Sequence, residues 1–447
     1  MEGDTWQRSR LIPTSGIGGQ EEKERRATSA FLAVLGAVKE FGRAVLQPLG
    51  APAGTIDTYC EVTFAMDDGR KLRTDGVVTA RRGNKTWTLL VEVKTGAVEL
   101  TQQQVESYLE IVRDRKFDGL LTISNQIVHT VNQHPIRVDG KRFGRMPLYH
   151  LSWVRILTIA QMVKEHQGVS DPDQAWILGE LIRYLEFEGS GAVMFDDMGA
   201  HWPTIREAVR HQTLRAADEG VRETTVRWDQ LIQYICLRLA SRLGREVRPL
   251  LTRREIENPE SRINAIVHDL TQDGTLSAAV RIPDTIGPLQ IRANIRTMMA
   301  EVSVDVEAPD LKRPAARVNW LVRQLRNAPA GTRIDAAFLW ARETTSELLS
   351  AVSEDPKKLL AGNSRPPSSF RLATSKALGT KRKSGKGSFI TDLSSLVDNF
   401  YRDVVQDLKP WSQPAPQLPP EEGVPAGSAA VLEGTERLEA ELSPRSP

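Results

Sequence analysis

The segment that most constrains the fold is the apolar run from Trp87 to Val93, which is followed at once by Lys94. Alternate residues of a strand point to opposite faces of a sheet, and both faces of this run are apolar until its carboxyl end. Such a strand is typical of the centre of a sheet that is covered on both sides. Glu92 and Lys94 share one face and emerge where the strand ends, which is where open α/β sheets place their sites.

Helical and extended patterns alternate around this strand. Apolar residues that recur near every 3.6 positions predict a helix from Glu21 to Leu49. β-Branched and apolar runs bounded by Gly, Asp and Asn predict strands. The later predicted elements are strands from Thr58 to Met66, Lys71 to Ala80 and Lys85 to Thr95, a helix from Leu100 to Lys116, strands from Asp118 to Ser124 and Leu148 to Ser152, and a helix from Trp153 to His166. The order helix, three-stranded meander, helix, strand predicts an α/β core.

A chain of 447 residues is too long for one ordinary core, so further domains are expected. Helical patterns follow the α/β core, then mixed helical and strand-like patterns, and a helical and α+β region is therefore predicted. The predicted divisions are a flexible arm (1–19), the α/β domain (20–168), a helical region (169–250), an α+β accessory domain (251–362), a basic linker (363–388), a short helix (389–410) and a disordered tail (411–447).

The composition is that of an ordinary globular protein, with 40% hydrophobic and 26% charged residues. A net charge of +2 gives no reason to expect nucleic-acid binding by the whole chain, so only a local basic surface could support it. Cys60 and Cys236 lack the spacing of a metal site or a disulfide framework, which fits a reducing cytoplasm. No apolar run is long enough to span a membrane, and a cytoplasmic protein without membrane contact is predicted.

Three charged side chains are predicted to meet across the hairpin of the second and third strands. Asp75 lies in the middle of one strand, and Glu92 and Lys94 lie two residues apart on the next. Two carboxylates and the backbone carbonyl of Val93 would suit Mg²⁺ or Mn²⁺ and leave positions for water and phosphate. Lys94 would orient that water or stabilise charge on the phosphate.

The charged residues also have ordinary structural explanations. Asp75-Gly76 is a common turn dipeptide, although Asp68-Gly69 already supplies a turn shortly before it. Glu92 and Lys94 could be a solvated ion pair on an edge strand. The apolar run before them favours burial instead, where an unpaired charge is costly.

The helix after the third strand offers two polar candidates, Gln104 and Tyr108. Gln104 also fits the N3 position of a capping box that begins at Thr101. Tyr108, one turn later, could be half-buried packing. Both interpretations of each residue remain open at this point.

Taken together, the pattern resembles the PD-(D/E)xK nuclease superfamily, which has the restriction-endonuclease-like fold. The resemblance covers about residues 20 to 165. It rests on Asp75 as the first acidic residue, on Glu92-Val93-Lys94 as the (D/E)xK element, and on Gln104 to Tyr108 as the QxxxY helix of the RecB-like branch. Thr74 stands before the first acidic residue where the family motif has proline.

Many members of this superfamily also use an acidic residue of the first helix, and Glu24 is the candidate here for a further metal ligand. Glu21 and Glu22 lie beside it at the predicted start of the helix. Acidic residues at such a position also interact favourably with the helix dipole, which is often their whole role.

The resemblance implies metal-dependent hydrolysis of nucleic-acid phosphodiesters, most often in DNA, in foreign-DNA defence, including phage defence, or in DNA repair. RNA remains an alternative substrate, and a catalytically inactive nuclease-like core that binds or serves as a scaffold remains an alternative role. A homodimer would bring together the two cores needed to cut both strands at once. The region 171–408 is open to contact with a protein partner.

Basic residues cluster in the predicted linker at Lys381, Arg382 and Lys383, with Arg371, Lys376 and Lys386 nearby. They could contact phosphates without sequence preference, or they could simply keep a tether solvated.

Overall fold

The computed structural model describes Ile12 and residues 18–66, 68–192 and 195–413. The predicted flexible arm (1–19) lies outside the described residues except for Ile12, Gly18 and Gly19, and the predicted disordered tail (411–447) lies outside them beyond residue 413. The described part is a mixed α/β structure with two β-sheets, which agrees with the predicted fold class. Among the helices described, none is both long and apolar enough to cross a membrane.

The first sheet consists of β1 Thr55–Ala65, β2 Lys71–Arg82, β3 Lys85–Val93, β4 Gly119–Ser124 and β5 Leu148–Ser152. The strands lie in chain order, with β1, β2 and β3 antiparallel and with β4 and β5 parallel to β3. β3 is therefore the central strand, as its two apolar faces predict. The order of elements is also the predicted one, whereas membership in the restriction-endonuclease-like fold stays a prediction.

Helices cover both faces of this sheet. They are α1 Gln20–Ala37, α2 Lys39–Leu46, α3 Gln102–Arg115, α4 Gly140–Phe143, α5 Trp153–Met162 and α6 Pro172–Glu186. On one face α1, α2, α5 and α6 bury Leu89 and Val91 of β3. On the other face α3 and α4 bury Leu90. This burial on both sides is the physical reason for the apolar run.

The prediction of one helix from Glu21 to Leu49 is wrong, because Val38 interrupts the helix and separates α1 from α2. Val38 is buried and extended, with φ −105° and ψ 104°. The break lets Phe31 of α1 and Phe41 of α2 meet edge to face, with ring centroids 6.3 Å apart. Burying both rings contributes about 1.5–3 kcal/mol for each, which outweighs about 1 kcal/mol for a lost backbone hydrogen bond.

The second sheet is formed by strands that are all antiparallel to their neighbours. They are β6 Arg248–Pro249, β7 Thr275–Arg281, β8 Leu289–Asn294, β9 Met299–Glu307, β10 Arg333–Phe338, β11 Thr344–Leu348 and β12 Pro367–Ala377. Their order across the sheet is β11-β10-β12-β9-β8-β7-β6.

The basic linker predicted over 363–388 is wrong for Pro367–Ala377, because this segment is β12, an inner strand paired with both β9 and β10. Phe370 and Leu372 are buried in the core, whereas Arg371 between them is exposed and forms an ion pair with Asp305. Some of the polar residues that suggested a linker are therefore the solvent-facing half of a strand.

The helices of this second region are α7 Trp202–Arg210, α8 Val221–Leu243, α9 Arg253–Glu257, α10 Pro259–Gln272, α11 Pro314–Gln324, α12 Leu349–Glu354, α13 Lys357–Leu360 and α14 Phe389–Phe400. The predicted helical region (169–250) divides between two cores. Leu181 of α6 packs with the first sheet, whereas Trp202 of α7 and Trp228 of α8 pack with the second. Phe389, at the start of α14, lies against Trp202 with ring centroids 4.7 Å apart.

The described residues up to Pro410 form one compact unit. A buried polar cluster connects the first sheet to the helices beside the second. Arg262 of α10 donates to both carboxylate oxygens of Asp229 of α8, at 2.9 and 2.7 Å, and His129, which follows β4, lies 2.7 Å from the same carboxylate. Burial opposes ionisation of Asp229, but these hydrogen bonds outweigh it and lower its pKa.

We expect Leu372→Ala to lower the free energy of unfolding by about 2–5 kcal/mol, because it opens a cavity inside the second sheet. Urea unfolding followed by circular dichroism measures the change. The exposed Ser375→Ala, on the same strand, should stay within about 0.5 kcal/mol of the wild type. Equal stability of the two variants would contradict the placement of β12.

Candidate active site

The predicted site lies where β2 and β3 reach one edge of the first sheet. Gly76 pairs with Val91 across these strands, so Asp75 and Glu92 come next. The backbone N–H of Val93 donates to Oδ2 of Asp75 at 2.8 Å. Asp75 is therefore held beside the carboxyl end of β3, as the sequence predicts.

Asp75-Gly76 does not form a turn, because both residues lie inside β2. The glycine leaves room for a side chain of α1. A Cβ atom on Gly76 would come within 2.5 Å of Cδ1 of Leu32, a distance that packed atoms do not reach. Gly76 is thus explained by the packing of α1 on the strand that carries Asp75.

Glu92 is the most deeply buried member of the group, at 1% exposed. Its Oε1 accepts hydrogen bonds from Nζ of Lys94, at 2.8 Å, and from Nε2 of Gln104. Its Oε2 is buried and accepts no hydrogen bond from a donor among the described residues, and the Asp75 carboxylate can bond only to the protonated form of Glu92. Burial, together with the nearby charge of Asp75, raises the pKa of Glu92 to about 8, although Lys94 opposes the shift.

Lys94 lies between two carboxylates. Its Nζ contacts Oε1 of Glu92 at 2.8 Å and Oε1 of Glu24 at 2.9 Å, and it is 8% exposed. Burial acts to lower the pKa of Lys94, but Glu92 and Glu24 outweigh it and raise the pKa. The interpretation of Glu92 and Lys94 as a solvated pair on an edge strand is therefore wrong.

The backbone of Lys94 is held as firmly as its side chain. Its N–H donates to the carbonyl of Ile123 on β4 at 2.7 Å, and its carbonyl accepts from the indole N–H of Trp153 at 2.9 Å. Trp153 is itself buried at the start of α5. These contacts keep the end of β3 in a single position relative to the sheet.

Glu24 is the residue of α1 that reaches the site. Glu21 and Glu22 form ion pairs one turn along the helix, with Arg25 and Arg26. Burial raises the pKa of Glu24, while the hydrogen bond from Lys94 opposes the shift. Glu24 is thus a partner of Lys94 here, and its predicted role as a metal ligand stays a prediction.

Gln104 takes part in the helix cap through its backbone, whereas its side chain turns to Glu92; its role in catalysis stays a prediction. Its backbone N–H donates to Oγ1 of Thr101 at 3.3 Å, so Thr101 does cap α3. The Gln104 side chain donates to Glu92 and takes no reciprocal part in the cap. The amide thus occupies one oxygen of Glu92 and leaves the other without a donor.

Tyr108 lies one turn after Gln104 and is buried against the same group. Its hydroxyl donates to the backbone carbonyl of Arg73 on β2 at 3.2 Å. Burial raises the pKa of Tyr108, and the negative charge of Glu92 acts in the same direction. Tyr108 therefore stays protonated and ties α3 to the strand that carries Asp75.

These residues fit a divalent cation. The Oε2 of Glu92, the adjacent carboxylate of Asp75 and the backbone carbonyl of Val93 are all oxygen donors, which Mg²⁺ and Mn²⁺ prefer. Within the part of the chain that is described, no three His, Cys, Asp or Glu side chains group together as a metal site. The donor set therefore depends on two carboxylates and a carbonyl.

A cavity of about 360 Å³ lies beside Asp75 and Glu24, and it gives the group access to solvent. It runs between α1 and β1, and its lining includes Arg25, Arg73 and Thr28. The lining also includes Glu21 and Glu61, which form ion pairs with these two arginines, so four carboxylates face two guanidinium groups. The cavity is therefore net acidic, which suits a cation.

A second polar group on the same face was not foreseen from the sequence. Sheet register places Thr122 of β4 beside Glu92, and His150 of β5 beside Thr122. Oγ1 of Thr122 lies 2.8 Å from Nδ1 of His150 and 2.8 Å from Nε2 of His134. Burial lowers the pKa of His150 to about 3, so this group is neutral. The available sequence signal was a single polar residue in the middle of each of two apolar strands.

Comparison of the chain with protein-family models, with curated proteins and with solved structures found no match. The resemblance to PD-(D/E)xK nucleases therefore stays a prediction that rests on the residues above.

Glu92 should make the metal-free protein less stable as pH rises. Its folded pKa of about 8 lies above the ordinary value of 4.5, so its contribution is complete below pH 4.5 and is lost through pH 8. Relative to Glu92→Gln, the wild type should lose up to about 1.4 kcal/mol per pH unit over this range. Urea unfolding in EDTA measures the difference, with the exposed Glu99→Gln as the control for losing one carboxylate. A difference that does not vary with pH would contradict the assignment.

Proposed function

We propose that the protein is a metal-dependent nuclease that hydrolyses phosphodiester bonds in DNA. The observation that carries the proposal is the buried Oε2 of Glu92, which accepts no hydrogen bond from a described donor and lies beside Asp75 and Lys94 at the end of a central strand. Leaving a buried carboxylate oxygen without a partner is costly. A cation at this position would remove that cost.

Asp75, Glu92 and the carbonyl of Val93 would hold Mg²⁺ or Mn²⁺. The bound ion would supply positive charge for the phosphate and lower the pKa of a water molecule. Gln104 keeps one oxygen of Glu92 occupied and so directs the other toward the cation.

Lys94 acts as a fixed positive charge in this proposal. Because its pKa is raised, it keeps its proton at neutral pH and serves as a donor rather than as a base. Its ammonium group, held between Glu92 and Glu24, is placed to donate to a phosphate oxygen and to offset the charge that develops there.

DNA is proposed as the substrate because the resemblance to PD-(D/E)xK nucleases implies it most often, with RNA as the alternative within the same chemistry. Foreign-DNA defence or DNA repair is the corresponding proposed role. A side-by-side digestion of single-stranded and duplex DNA and RNA with Mg²⁺ or Mn²⁺ separates these substrates. Cleavage of RNA alone would replace DNA as the substrate.

One observation favours a second candidate, a nuclease-like core that only binds or acts as a scaffold. Lys94 already forms ion pairs with both Glu92 and Glu24, so the cluster is partly neutralised without a metal ion. A buried ion pair of this kind can also be kept for structural specificity. Metal affinity that depends on Asp75 and Glu92 distinguishes the nuclease from this alternative.

Asp75→Asn and Lys94→Gln should each lower kcat/KM for DNA cleavage by at least about 100-fold, because each removes a charge next to the reacting phosphate. Circular dichroism and thermal unfolding check that the variants fold. Asp57→Asn is the matched control, since Asp57 is a carboxylate of the neighbouring strand β1 that pairs with Arg81. Undiminished cleavage by both site variants, in protein free of contaminating nuclease, would refute the proposal.

Binding of Mg²⁺ or Mn²⁺ at pH 7 should release up to about one proton per ion, because Glu92 must ionise from a pKa of about 8. Calorimetric titration in two buffers of different ionisation enthalpy counts the protons. Asp75→Asn and Glu92→Gln should abolish the binding, while Asp57→Asn should retain it. Absence of carboxylate-dependent binding in the wild type would support the scaffold alternative.

A further inference from the structure

We propose that residues 379–388, here called the basic loop, bind the phosphate backbone of the nucleic acid at a distance from the scissile bond. The loop connects β12 to α14 and contains Lys381, Arg382, Lys383 and Lys386 but no acidic residue. The inference rests on the proposed function, because it extends the substrate-binding surface of the same site.

The structure sorts the basic residues near this loop into those with and without a carboxylate partner. Arg371 and Lys376 form ion pairs with Asp305 and Asp392, at 2.7 and 2.9 Å. Lys381 and Lys386 are exposed and have no ion pair with any described residue; Nζ of Lys381 donates to the Lys386 carbonyl at 3.1 Å. Two uncompensated ammonium groups therefore face solvent together.

The other two basic residues of the loop have weaker acidic neighbours. Nε of Arg382 lies 3.6 Å from Oδ2 of Asp197, and the positive charge of Lys383 acts on Asp196. The loop therefore carries a surplus of positive charge even after its nearest carboxylates are counted.

The basic loop has a defined conformation. Lys381 N–H donates to the Gly387 carbonyl at 3.1 Å, which closes the loop at its base. Gly379 and Gly387 approach so closely that a Cβ atom on Gly379 would lie 2.2 Å from the Gly387 carbonyl carbon. Ser384 N–H donates to the Asp196 carbonyl at 2.7 Å, and Met198 N–H donates to the Arg382 carbonyl at 3.1 Å. A loop held at both its base and its tip presents its lysines without first being ordered.

A groove lies beside the loop that follows β3. It has a volume of about 570 Å³ and begins at Gly96, two residues after Lys94. Its walls are the loops that follow β3 and β4, with Glu99, on one side and Arg222, Glu223 and Arg227 of α8 on the other. Arg222 forms an ion pair with Glu260, whereas Arg227 has no carboxylate partner within ion-pair distance among the described residues.

Arg227 of the groove wall lies near the same carboxylate as a lysine of the basic loop. Its guanidinium lies over the ring of Phe195, at 5.7 Å from the centroid, and its charge acts on Asp196 together with that of Lys383. Arg227 therefore adds to the positive charge around the basic loop. A nucleic-acid backbone, with a negative charge at every nucleotide, is complementary to such a group of cations.

The exposed surface of the loop favours a nucleic acid over an acidic protein. Stable protein interfaces depend on aromatic or apolar anchors, and none of the large exposed hydrophobic residues described lies in the loop. Nucleic-acid interfaces are instead polar and positively charged.

The test is equilibrium binding of fluorescently labelled single-stranded and duplex DNA to the full chain in EDTA, over a range of salt concentrations. The variant is Lys381→Gln with Lys386→Gln. Lys312→Gln with Lys357→Gln is the matched control, since these exposed lysines lie outside the loop and have no ion pair among the described residues. The loop variant should bind at least one of the two DNAs about 10-fold or more weakly near 0.1 M salt, and its salt slope for duplex should fall by about 2. The control should match the wild type.

Equal affinities and salt slopes for the loop variant and the control, on both DNAs, would overturn the inference and would point to an acidic protein as the partner of the loop. If the loop variant binds DNA more weakly but the wild type does not cleave DNA with Mg²⁺, this inference holds and the proposed nuclease function is refuted. If the wild type cleaves DNA but the loop variant binds DNA normally, the nuclease function holds and this inference is refuted. Because binding is measured without metal, the two outcomes are independent.

Discussion

Burial of the Glu92 carboxylate at the end of the central strand is the constraint on which the rest of the site depends. A carboxylate taken out of water must be protonated, hydrogen-bonded or paired. Lys94 and Gln104 each supply a donor to one oxygen, and the other oxygen is left without a donor in the described structure. The pKa of Glu92 is raised because these hydrogen bonds offset only part of the cost of burying its charge.

Different elements of the first sheet supply the groups around that carboxylate, and each is positioned by packing that has no direct part in chemistry. Asp75 is placed by the register of β2 against β3, and Glu24 by the close approach of α1 that Gly76 permits. The order in which the helices cover the sheet therefore decides which polar side chains can reach its edge. A small displacement of α1 or α3 would change the charge balance at Glu92 more than any change on the surface could, because electrostatic interactions are least screened where water is excluded.

Elements marked by residues within their own segment were predicted well from the sequence, whereas elements that depend on distant contacts were not. β3, β4 and β5 were foreseen closely, because a buried strand is marked by its own apolar run and its bounding turns. The break at Val38 was missed, since it is stabilised by contact between Phe31 and Phe41 rather than by any helix-breaking residue. β12 was mistaken for a linker because its exposed half is rich in Ser, Lys and Arg, and its buried half is recognisable only once two partner strands are known.

The alternation of residues along β2 and β3 was enough to put Asp75, Glu92 and Lys94 at one edge of a sheet, because a strand's period of two is a property of the backbone alone. The partners of these groups came from contacts between distant parts of the chain. No local pattern could tell that Gln104 would turn from its helix cap to Glu92, that Glu24 would pair with Lys94, or that Thr122 and His150 would extend the row, although the family resemblance had suggested Glu24. Periodicity selects the face on which a side chain lies, whereas the packing of whole helices and strands selects its neighbour.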